Sequence, residues 1–275
     1  MENLTRKALF CCFFVCTTFA CNLARAEEVE DEKEFSYDER SHRGPAHWGE
    51  IRQEWSMCNH GSMQSPIDLL DARVQVVSSL GRLHREYKPS NATLVNRGHD
   101  MMLRWVDDAG HIHINGTLYH LRQCHWHSPS EHSINGKRYD LEAHLVHEAL
   151  NGRIAVIGII YEIGRSDSFL SMMENKLKAL ADTRDLEKVV GVIDPKQIKL
   201  GSRKYYRYIG SLTIPPCTQN VVWTIVKKVR TVTRDQVKMI REAVHDESEA
   251  NARPLQPLHN RPIRMYRPHA KEEED

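Results

Sequence analysis

Residues 155–161 have the sequence AVIGIIY, which is apolar almost throughout and rich in β-branched side chains. A continuous apolar run of this length is typical of a strand buried on both faces, because a strand with one solvated face alternates apolar and polar residues. Residues 221–232, VVWTIVKKVRTV, have a similar composition and predict a second such strand. The sequence therefore indicates a fold with a buried strand at its centre.

Short strands with turn signals between them surround this run. DDAG at 107–110 and ING at 134–136 have the Asp, Asn and Gly residues of hairpin turns. No internal repeat, low-complexity linker or Pro/Gly-rich boundary divides the chain between its acidic ends, 27–34 and 271–275. These features predict one sheet-dominated domain of the α+β class.

Two stretches have helical spacing, and both apolar stripes predict packing into the core. The first covers 168–181 behind a cap at Ser166 or Asp167. The second covers 234–245 and follows Thr233 as its N-cap. Their apolar positions are Phe169, Leu170, Met173, Leu177 and Leu180 in the first and Val237, Ile240 and Val244 in the second.

The charge of the chain is balanced, with 38 Lys and Arg residues against 37 Asp and Glu residues over 275 residues. Nucleic-acid-binding proteins usually present a basic face, so a net charge of +1 argues against an extended surface for polyanions. It leaves room only for a local basic patch. We therefore expect no nucleic-acid partner.

The N-terminus has the form of a secretory signal peptide. Arg6 and Lys7 precede an apolar run at 8–20, and ARA at 24–26 resembles a cleavage site. The run is too short to span a membrane, and it lacks the Arg- and Ser-rich character of a transit peptide. The sequence thus predicts a signal peptide at 1–26, a mature domain at 27–275 without a membrane span, and entry into the secretory pathway.

Removal of the signal peptide leaves three cysteines, Cys58, Cys124 and Cys217. In an oxidising compartment three cysteines predict one disulfide and one free thiol, but the sequence alone does not choose the pair. The sequons at Asn91 and Asn115 predict N-glycosylation, which requires both to lie on the surface.

Three histidines form the principal candidate site. In the strand-like run QCHWH at 123–127, His125 and His127 share one face with Gln123, because side chains alternate along a strand. After the turn at 134–136, the same alternation places Glu142 and His144 on one face. If the two strands are neighbours, three imidazoles converge, and three histidines with an open position are typical of catalytic zinc.

His-x-His alone is a weak signal, because the chain has a second one at His111 and His113. In a histidine-rich chain, most such pairs are incidental features of a strand face. The third histidine and the carboxylate two residues before it favour a metal site, with Gln123 and Glu142 orienting the rings from behind. From the residues alone, the prediction is a three-histidine metal site of unspecified chemistry.

A set of ordered motifs resembles the α-class carbonic anhydrases. The motifs span residues 35–267, and FSYDE at 35–39 and CHWHSPSEH at 124–132 are most similar to plant members. The remaining matches are GPAHWG at 44–49, QSPID at 64–68, EAHLVH at 142–147, GSLTIPPC at 210–217 and NRP at 260–262. The resemblance implies a single domain built on a large, mostly antiparallel twisted sheet with short peripheral helices.

The resemblance also implies a reaction, the reversible hydration of carbon dioxide to bicarbonate and a proton by attack of zinc hydroxide. Zn²⁺ would be bound by His125, His127 and His144. Thr213 would accept a hydrogen bond from the hydroxide and donate one to Glu131. NRGH at 96–99 places His99 at the position of the family's proton shuttle, and an imidazole of ordinary pKa exchanges protons near neutrality.

Further roles follow from matching positions. The resemblance implies a disulfide between Cys58 and Cys217, which leaves Cys124 as a free, buried thiol. Tyr37 would help to order the water chain. Apolar residues would line the pocket for carbon dioxide, namely Val146, Val156, Leu212 and Trp223.

One departure from the family pattern lies at the substrate pocket. Ile214 stands where a second threonine is common, and it removes a hydroxyl that would bond bicarbonate or a sulfonamide. Gln219 is commonly Glu in plant relatives. Ile214 keeps an alternative open, a catalytically weak or inactive storage or secreted defence protein. Carbon dioxide or bicarbonate is the expected small-molecule partner, and the chain is expected to be a monomer or homodimer in the apoplast or, alternatively, in the chloroplast stroma or thylakoid lumen.

Overall fold

A computed structural model describes residues 34–181, 187–242, 244 and 250–268. The predicted signal peptide lies outside the described residues. The strands are β1 Asp68–Leu69, β2 Val74–Val76, β3 Arg85–Tyr87, β4 Ser90–Asn96, β5 Met101–Trp105, β6 Gly110–Ile114, β7 Thr117–His127, β8 Ser133–Ile134, β9 Lys137–Arg138, β10 Leu141–Glu148, β11 Ile154–Ile163, β12 Glu187–Ile193, β13 Tyr205–Ser211, β14 Gln219–Val226, β15 Arg230–Val232 and β16 Ile263–Tyr266. The helices are α1 Trp48–Ile51, α2 Met57–His60, α3 Ser168–Ala181 and α4 Arg234–Glu242.

Within the described part of the chain, one large sheet contains thirteen strands and dominates the fold. Its main path runs β12-β4-β5-β7-β10-β11-β14-β13-β16-β2, and β3, β6 and β15 join it at the side. Most neighbours are antiparallel, but β11 pairs in parallel with β14 and β15, and β16 with β2. The predicted sheet-dominated α+β class is confirmed.

The predicted central strand corresponds to β11, which lies between β10 and β14. Its residues alternate between two apolar clusters, one on each face of the sheet. Ile157 and Ile159 belong to the larger cluster, whereas Val156 and Ile160 belong to the other. Because both faces are covered, the strand has no polar side, which explains its unbroken apolar sequence.

The second predicted strand, 221–232, is in fact two strands. β14 ends at Val226, and β15 begins at Arg230. Both run parallel to β11, at successive positions along it. The break coincides with Lys227, whose backbone donates to Lys204 O and whose ammonium donates to Asp71 at 2.8 Å. The pairing of β14 with β11 ends just before this break, at Ile225 opposite Gly158.

One of the two predicted hairpin turns is wrong. β5 and β6, on either side of 107–110, do not pair with each other, because both pair with β7. The segment connects two strands that pair with successive parts of the same strand, β7. Gly110 has a φ of 92°, and a Cβ there would lie 2.0 Å from Glu86 O, so the connection requires glycine.

The other predicted turn is a hairpin, since Asn135 and Gly136 link β8 to β9 with positive φ values at both positions. A second hairpin of this kind, Asn115 and Gly116, joins β6 to β7. That dipeptide is the usual sequence of such turns, although only a sequon was predicted at this position. Asn91 and Asn115 are both exposed.

The helices agree with their predicted starts. In α3, Asp167 caps the helix by accepting from the backbone nitrogens of Phe169 and Leu170. In α4, Thr233 and Gln236 exchange side-chain and backbone hydrogen bonds, each at 3.2 Å, which is a capping box. The helix is described to Glu242, and residues 243 and 245 of the predicted helix lie outside the described residues.

Among the described residues, no helix is both long and apolar enough to cross a membrane.

Candidate metal centre

Strands β7 and β10 bring the three predicted histidines together. The antiparallel register sets His125 opposite His144 and His127 opposite Glu142. One ligand atom from each histidine lies within 4.8 Å of the others, and all three side chains are buried. The cluster follows directly from strand alternation and this register.

A β-bulge in β7 orients the candidate ligand side chains. Gln123 pairs with Val146 and Leu121 with His147, so Arg122 is an extra residue with no partner of its own in β10. Before the bulge, odd-numbered residues such as Leu121 face the larger core, and after it the even-numbered Trp126 does. The bulge therefore reverses the alternation and turns residues 123, 125 and 127 toward the site.

Two of the rings are oriented by oxygen acceptors. His125 donates from Nδ1 to Gln123 Oε1 at 2.8 Å, and His127 donates from Nδ1 to the backbone oxygen of Asn251 at 2.6 Å. Each bond fixes the proton on Nδ1 and leaves the lone pair of Nε2 for a metal. His127 Nε2 is buried and has no hydrogen-bond partner in the described part of the chain.

The third ring has the opposite tautomer. His144 donates from Nε2 to Glu142 Oε1 at 2.9 Å, which leaves Nδ1 toward the other rings. Glu142 also accepts from His132, through its backbone nitrogen and Nδ1, both at 2.8 Å. His132 Nε2 then accepts from the Tyr208 hydroxyl at 2.7 Å, and Tyr208 in turn lies 2.8 Å from Ser65 Oγ.

Gly158 of β11 makes room for this carboxylate. It lies opposite His144 in the ladder. A Cβ at this position would come within 2.9 Å of Glu142 Oε1 and 2.5 Å of Ile225 Cδ1. The single glycine in the apolar run AVIGIIY is thus a requirement of the site, which the sequence analysis does not identify.

The electrostatics of the rings suit metal ligation. Burial lowers the pKa of His125 well below 6.5 and also lowers that of His144, so both are neutral with an available lone pair. Burial alone would raise the pKa of Glu142, but the neighbouring His132 and His144 hold it well below its usual value. Glu142 is therefore ionised and accepts a hydrogen bond from Nε2 of His144.

A second group, His132, Glu142 and His144, also meets the distance requirement for a metal. Its members are already hydrogen-bonded to one another. The group of three histidines instead has a buried lone pair without a partner, at His127 Nε2. The free lone pairs therefore favour His125, His127 and His144 as the candidate ligand set, and the second group lies behind it.

Glu131 borders the same point. Its Oε2 is buried without a partner in the described residues, 3.7 Å from His127 Nε2 and 4.0 Å from His144 Nδ1. Its Oε1 accepts from the backbone nitrogen of Arg253 at 2.9 Å. The bond from Thr213 that the resemblance implies is not formed at Oε2, although Thr213 is buried as well.

The comparisons with known proteins decide the family. The eukaryotic-type carbonic anhydrase family model matches residues 43–267. The chain belongs to this family.

Two similar proteins come from the plant Arabidopsis thaliana. Alpha carbonic anhydrase 7 of Arabidopsis thaliana is 60% identical over 241 residues, which cover 88% of each sequence. Alpha carbonic anhydrase 2 of the same plant is 60% identical over 218 residues, covering 78% of this chain and 89% of the relative. The predicted plant-type α-carbonic anhydrase, and with it the enzyme class, is confirmed.

Among solved structures, a crystal structure of dioscorin complexed with ascorbate has a TM-score of 0.84 and 43% identity to this chain. The match covers 86% of this chain and 99% of the dioscorin chain. The fold of this carbonic anhydrase is therefore shared over nearly the whole described domain.

The apolar residues expected at the substrate pocket divide into two groups. Four of them belong to one cluster, namely Val146, Val156, Leu212 and Trp223, and the Trp223 ring lies 4.8 Å from that of His144. Ile214 belongs to a different cluster, which contains Phe35, Tyr37, Trp48 and the disulfide cysteines. Ile214, the residue that departs from the family pattern, thus packs in the cluster that contains Phe35 and Tyr37.

His99 lies on the side of that N-terminal cluster. It is only 3% exposed, and neither ring nitrogen has a hydrogen-bond partner among the described residues. Its ring lies 5.1 Å from Phe35 and 6.5 Å from Tyr37. Burial lowers the pKa of His99 to about 4, below the ordinary imidazole pKa that the predicted shuttle role requires.

Two buried polar residues near the C-terminus were missed by the sequence analysis. Asn251 orients His127 and also donates to the backbone oxygens of His99 and Trp126. Arg253 donates to Gln64 and to the backbone oxygens of Ser65 and Cys58. Both lie more than 100 positions from the candidate ligands. The segment NAR at 251–253 has no local pattern that indicates contact with the site.

The cysteines form the pair that the resemblance implies. Cys58 and Cys217 are joined by a disulfide, and Cys124 is free and buried. Burial raises the pKa of the Cys124 thiol, which makes it an unreactive apolar side chain at neutral pH.

Proposed function

We propose that this chain catalyses the reversible hydration of carbon dioxide to bicarbonate and a proton, with zinc held by His125, His127 and His144. One observation carries the proposal: the three rings turn lone pairs toward one point, and His127 Nε2 is buried there without a partner among the described residues. An unsatisfied buried polar atom costs about 1–3 kcal/mol. A metal ion would supply the missing interaction, so the donor set fits zinc.

When bound, zinc would supply the Lewis acid that makes water a nucleophile at neutral pH, a chemistry for which carbonic anhydrases are themselves the standard example. The side chains of Gln123 and Glu142 and the Asn251 carbonyl hold each ring in one tautomer. The three imidazole rings are therefore oriented before the metal binds, which limits the reorganisation that binding requires.

The apolar cluster of Val146, Val156, Leu212 and Trp223 would receive the substrate. Carbon dioxide has no hydrogen to donate, and a wall without polar groups holds it without competing for the reacting water. Trp223 is fixed by donating from Nε1 to Ser211 O at 2.9 Å. The wall is thereby rigid next to the ligand His144.

Thr213 and Glu131 would orient the reacting water. Glu131 Oε2 is buried without a partner among the described residues, and it could accept a hydrogen bond from the Thr213 hydroxyl. If that hydroxyl donates to Glu131, only its lone pairs face the water. The water must then donate to Thr213 and present its own lone pair to the substrate carbon.

His99 is the proposed acceptor for the proton that the reaction releases. With a pKa lowered to about 4 by burial, it would release a proton quickly and accept one slowly at neutral pH. Proton transfer, rather than attack on carbon dioxide, would then limit turnover in weak buffer.

A second function, a catalytically weak or inactive storage or defence protein, is favoured by two observations. The similar solved chain is a dioscorin complexed with ascorbate, and Ile214 places an apolar side chain where the family often has a hydroxyl. The intact set of three histidines favours the enzyme over this alternative.

Stopped-flow measurement of carbon dioxide hydration, combined with metal analysis of the mature protein, separates the two functions. The proposed function requires about one zinc ion per chain and turnover that a sulfonamide inhibits. Protein that retains its fold after incubation with zinc, but binds none and has no turnover, would exclude it.

We also propose that the protein enters the secretory pathway and reaches the apoplast, with the chloroplast stroma or thylakoid lumen as the alternative. The N-terminal sequence of the mature protein tests cleavage after Ala26. Mass loss on enzymatic deglycosylation tests Asn91 and Asn115, both of which are exposed.

A further inference from the structure

A cavity of about 490 Å³ lies between residues 82–85, which lead into β3, and residues 199–203, which precede β13. None of its lining residues belongs to the metal centre or its apolar pocket. Four of its lining side chains are cationic, namely Arg82, Arg85, Lys199 and Arg203, and His84 lies beside them. None of its lining residues is Asp or Glu.

This concentration of positive charge does not reflect the chain as a whole, which has nearly equal numbers of basic and acidic residues. Like charges around one concave surface repel each other, and the low-dielectric walls of a cavity strengthen the effect. At the edge of the cavity, Gly201 packs beside the stems of Lys228 and Arg230. The charge of Arg230 is balanced by Asp167 at 2.8 Å, outside the cavity lining.

Arg85 is the most constrained of these side chains. It is half-buried, donates from Nη1 to Ile198 O at 3.1 Å, and its guanidinium carbon lies 5.4 Å from the centre of the Tyr87 ring. No carboxylate in the described part of the chain pairs with it. Burial lowers the pKa of Arg85, but it stays protonated, and most of its five N–H donors remain for another acceptor.

We propose that this cavity binds one small molecule that carries two or more oxyanion groups, either phosphates or carboxylates. Arginine matches both groups with paired N–H donors, and Lys199 adds a mobile charge. The volume suits a small ligand. A long polyanion would instead need an extended basic surface, which the balanced charge of the chain argues against.

Calorimetric titration at near-physiological ionic strength tests the proposal, with pyrophosphate and citrate as probes and acetate as the monovalent control. We expect one binding site per chain for a divalent or higher anion and none for acetate. Stronger binding of pyrophosphate would point to phosphate ligands, and stronger binding of citrate to carboxylates.

The double variant Arg82→Gln, Lys199→Gln should reduce the affinity at least tenfold, because both side chains are exposed and lose only their charge. Lys137→Gln is the matched control, since Lys137 is an exposed cation on β9 that pairs with Glu162. It should bind the anion like the unmodified protein. Anion binding at the metal centre would be lost in His144→Ala and unaffected by the double variant, so the two sites are distinguishable.

Unchanged affinity in the double variant, or an equal loss in Lys137→Gln, would overturn the proposal. Arg85→Gln should weaken binding further, with partial recovery in Arg85→Lys. Because Arg85 is half-buried, circular dichroism of each variant must first match the parent. If Arg85→Gln does not fold, the exposed double variant alone decides.

Discussion

His147, a buried histidine within a strand, differs from His99, a buried histidine that lies between two strands. His147 in β10 is satisfied at both nitrogens, donating from Nδ1 to Ala155 O at 3.2 Å and accepting at Nε2 from the Tyr87 hydroxyl at 2.6 Å. His99, between β4 and β5, has no hydrogen-bond partner at either ring nitrogen among the described residues, and its Nε2 lies 3.7 Å from Asp100 Oδ2. It is held by ring contacts with Phe35 and Tyr37 instead.

The difference shows how the two sides of the site are built. On the sheet side, ladder register fixes the position of each ring, and an oxygen acceptor fixes which ring nitrogen carries the proton. On the side of His99, the wall is assembled from apolar and aromatic packing, which fills space but fixes no hydrogen-bond direction. We therefore expect changes on the sheet side to affect metal binding and stability, and changes on the other side to affect rates.

The largest effect is expected from His144→Ala, which removes a proposed ligand from the sheet side. Loss of residues that merely support metal ligands costs about 10–100-fold in affinity or activity, and loss of a ligand should exceed that. Zinc content by mass spectrometry and turnover by stopped flow should fall together. His113→Ala, an exposed histidine on β6, is the control, and equal zinc loss there would contradict the assignment.

Acid should destabilise the sheet side through His147. Burial lowers its folded pKa from 6.5 to about 3, so the unfolded chain binds a proton that the folded chain does not. Stability from this group is complete above about pH 6.5 and falls as the pH drops toward 3. From these values, the free energy of unfolding at pH 5 should be about 2 kcal/mol lower than at pH 7.5 on account of His147.

Urea unfolding at the two pH values checks this expectation. His147→Gln should show a smaller difference between the two pH values than the parent, even if it is less stable at both. An equal difference in parent and variant would assign the acid sensitivity to other groups.

A smaller effect is expected on the other side, from His99→Ala. Positioned acid or base groups contribute about 100-fold or more, and the low pKa of His99 should make its share smaller than that at neutral pH. Turnover in weak buffer should fall, with little change in strong buffer, and added imidazole should partly restore it. No response to imidazole would mean that His99 is not the shuttle.

The smallest effect is expected from Ile214→Thr. The new hydroxyl would add one neutral hydrogen bond, to an oxygen of a bound sulfonamide, worth about 0.5–1.5 kcal/mol. That corresponds to roughly 2- to 12-fold tighter inhibition by a sulfonamide, measured as an inhibition constant. Ile214→Val, which adds no hydroxyl, separates this gain from the loss of packing against Phe35 and Tyr37.

Sequence reasoning was most successful where the determinant is local. Alternation along 123–127 and 141–146 predicted which residues share a face, and the ladder pairs them accordingly. The caps at Asp167 and Thr233 marked the starts of both longer helices. Each of these features depends on residues a few positions apart.

The features that the sequence did not predict depend on residues that are distant in the chain. The connection at 107–110 has the composition of a hairpin, but its flanking strands share a partner that lies beyond the next turn. Asn251 reaches His127 across 124 positions. The burial of His99 depends on a segment some 60 residues earlier in the chain. No local pattern contains these partners.

The extra residue Arg122 divides β7 into two halves whose side chains alternate in opposite phase. Residues 117–121 take their alternation from the core, and residues 123–127 take theirs from the metal centre. Substitutions in the outer half can therefore accumulate without turning the ligands, whereas deletion of this one residue would restore a regular strand and rotate one half by 180°. A single-residue deletion at an exposed position would then be more damaging to zinc binding than many substitutions at buried ones.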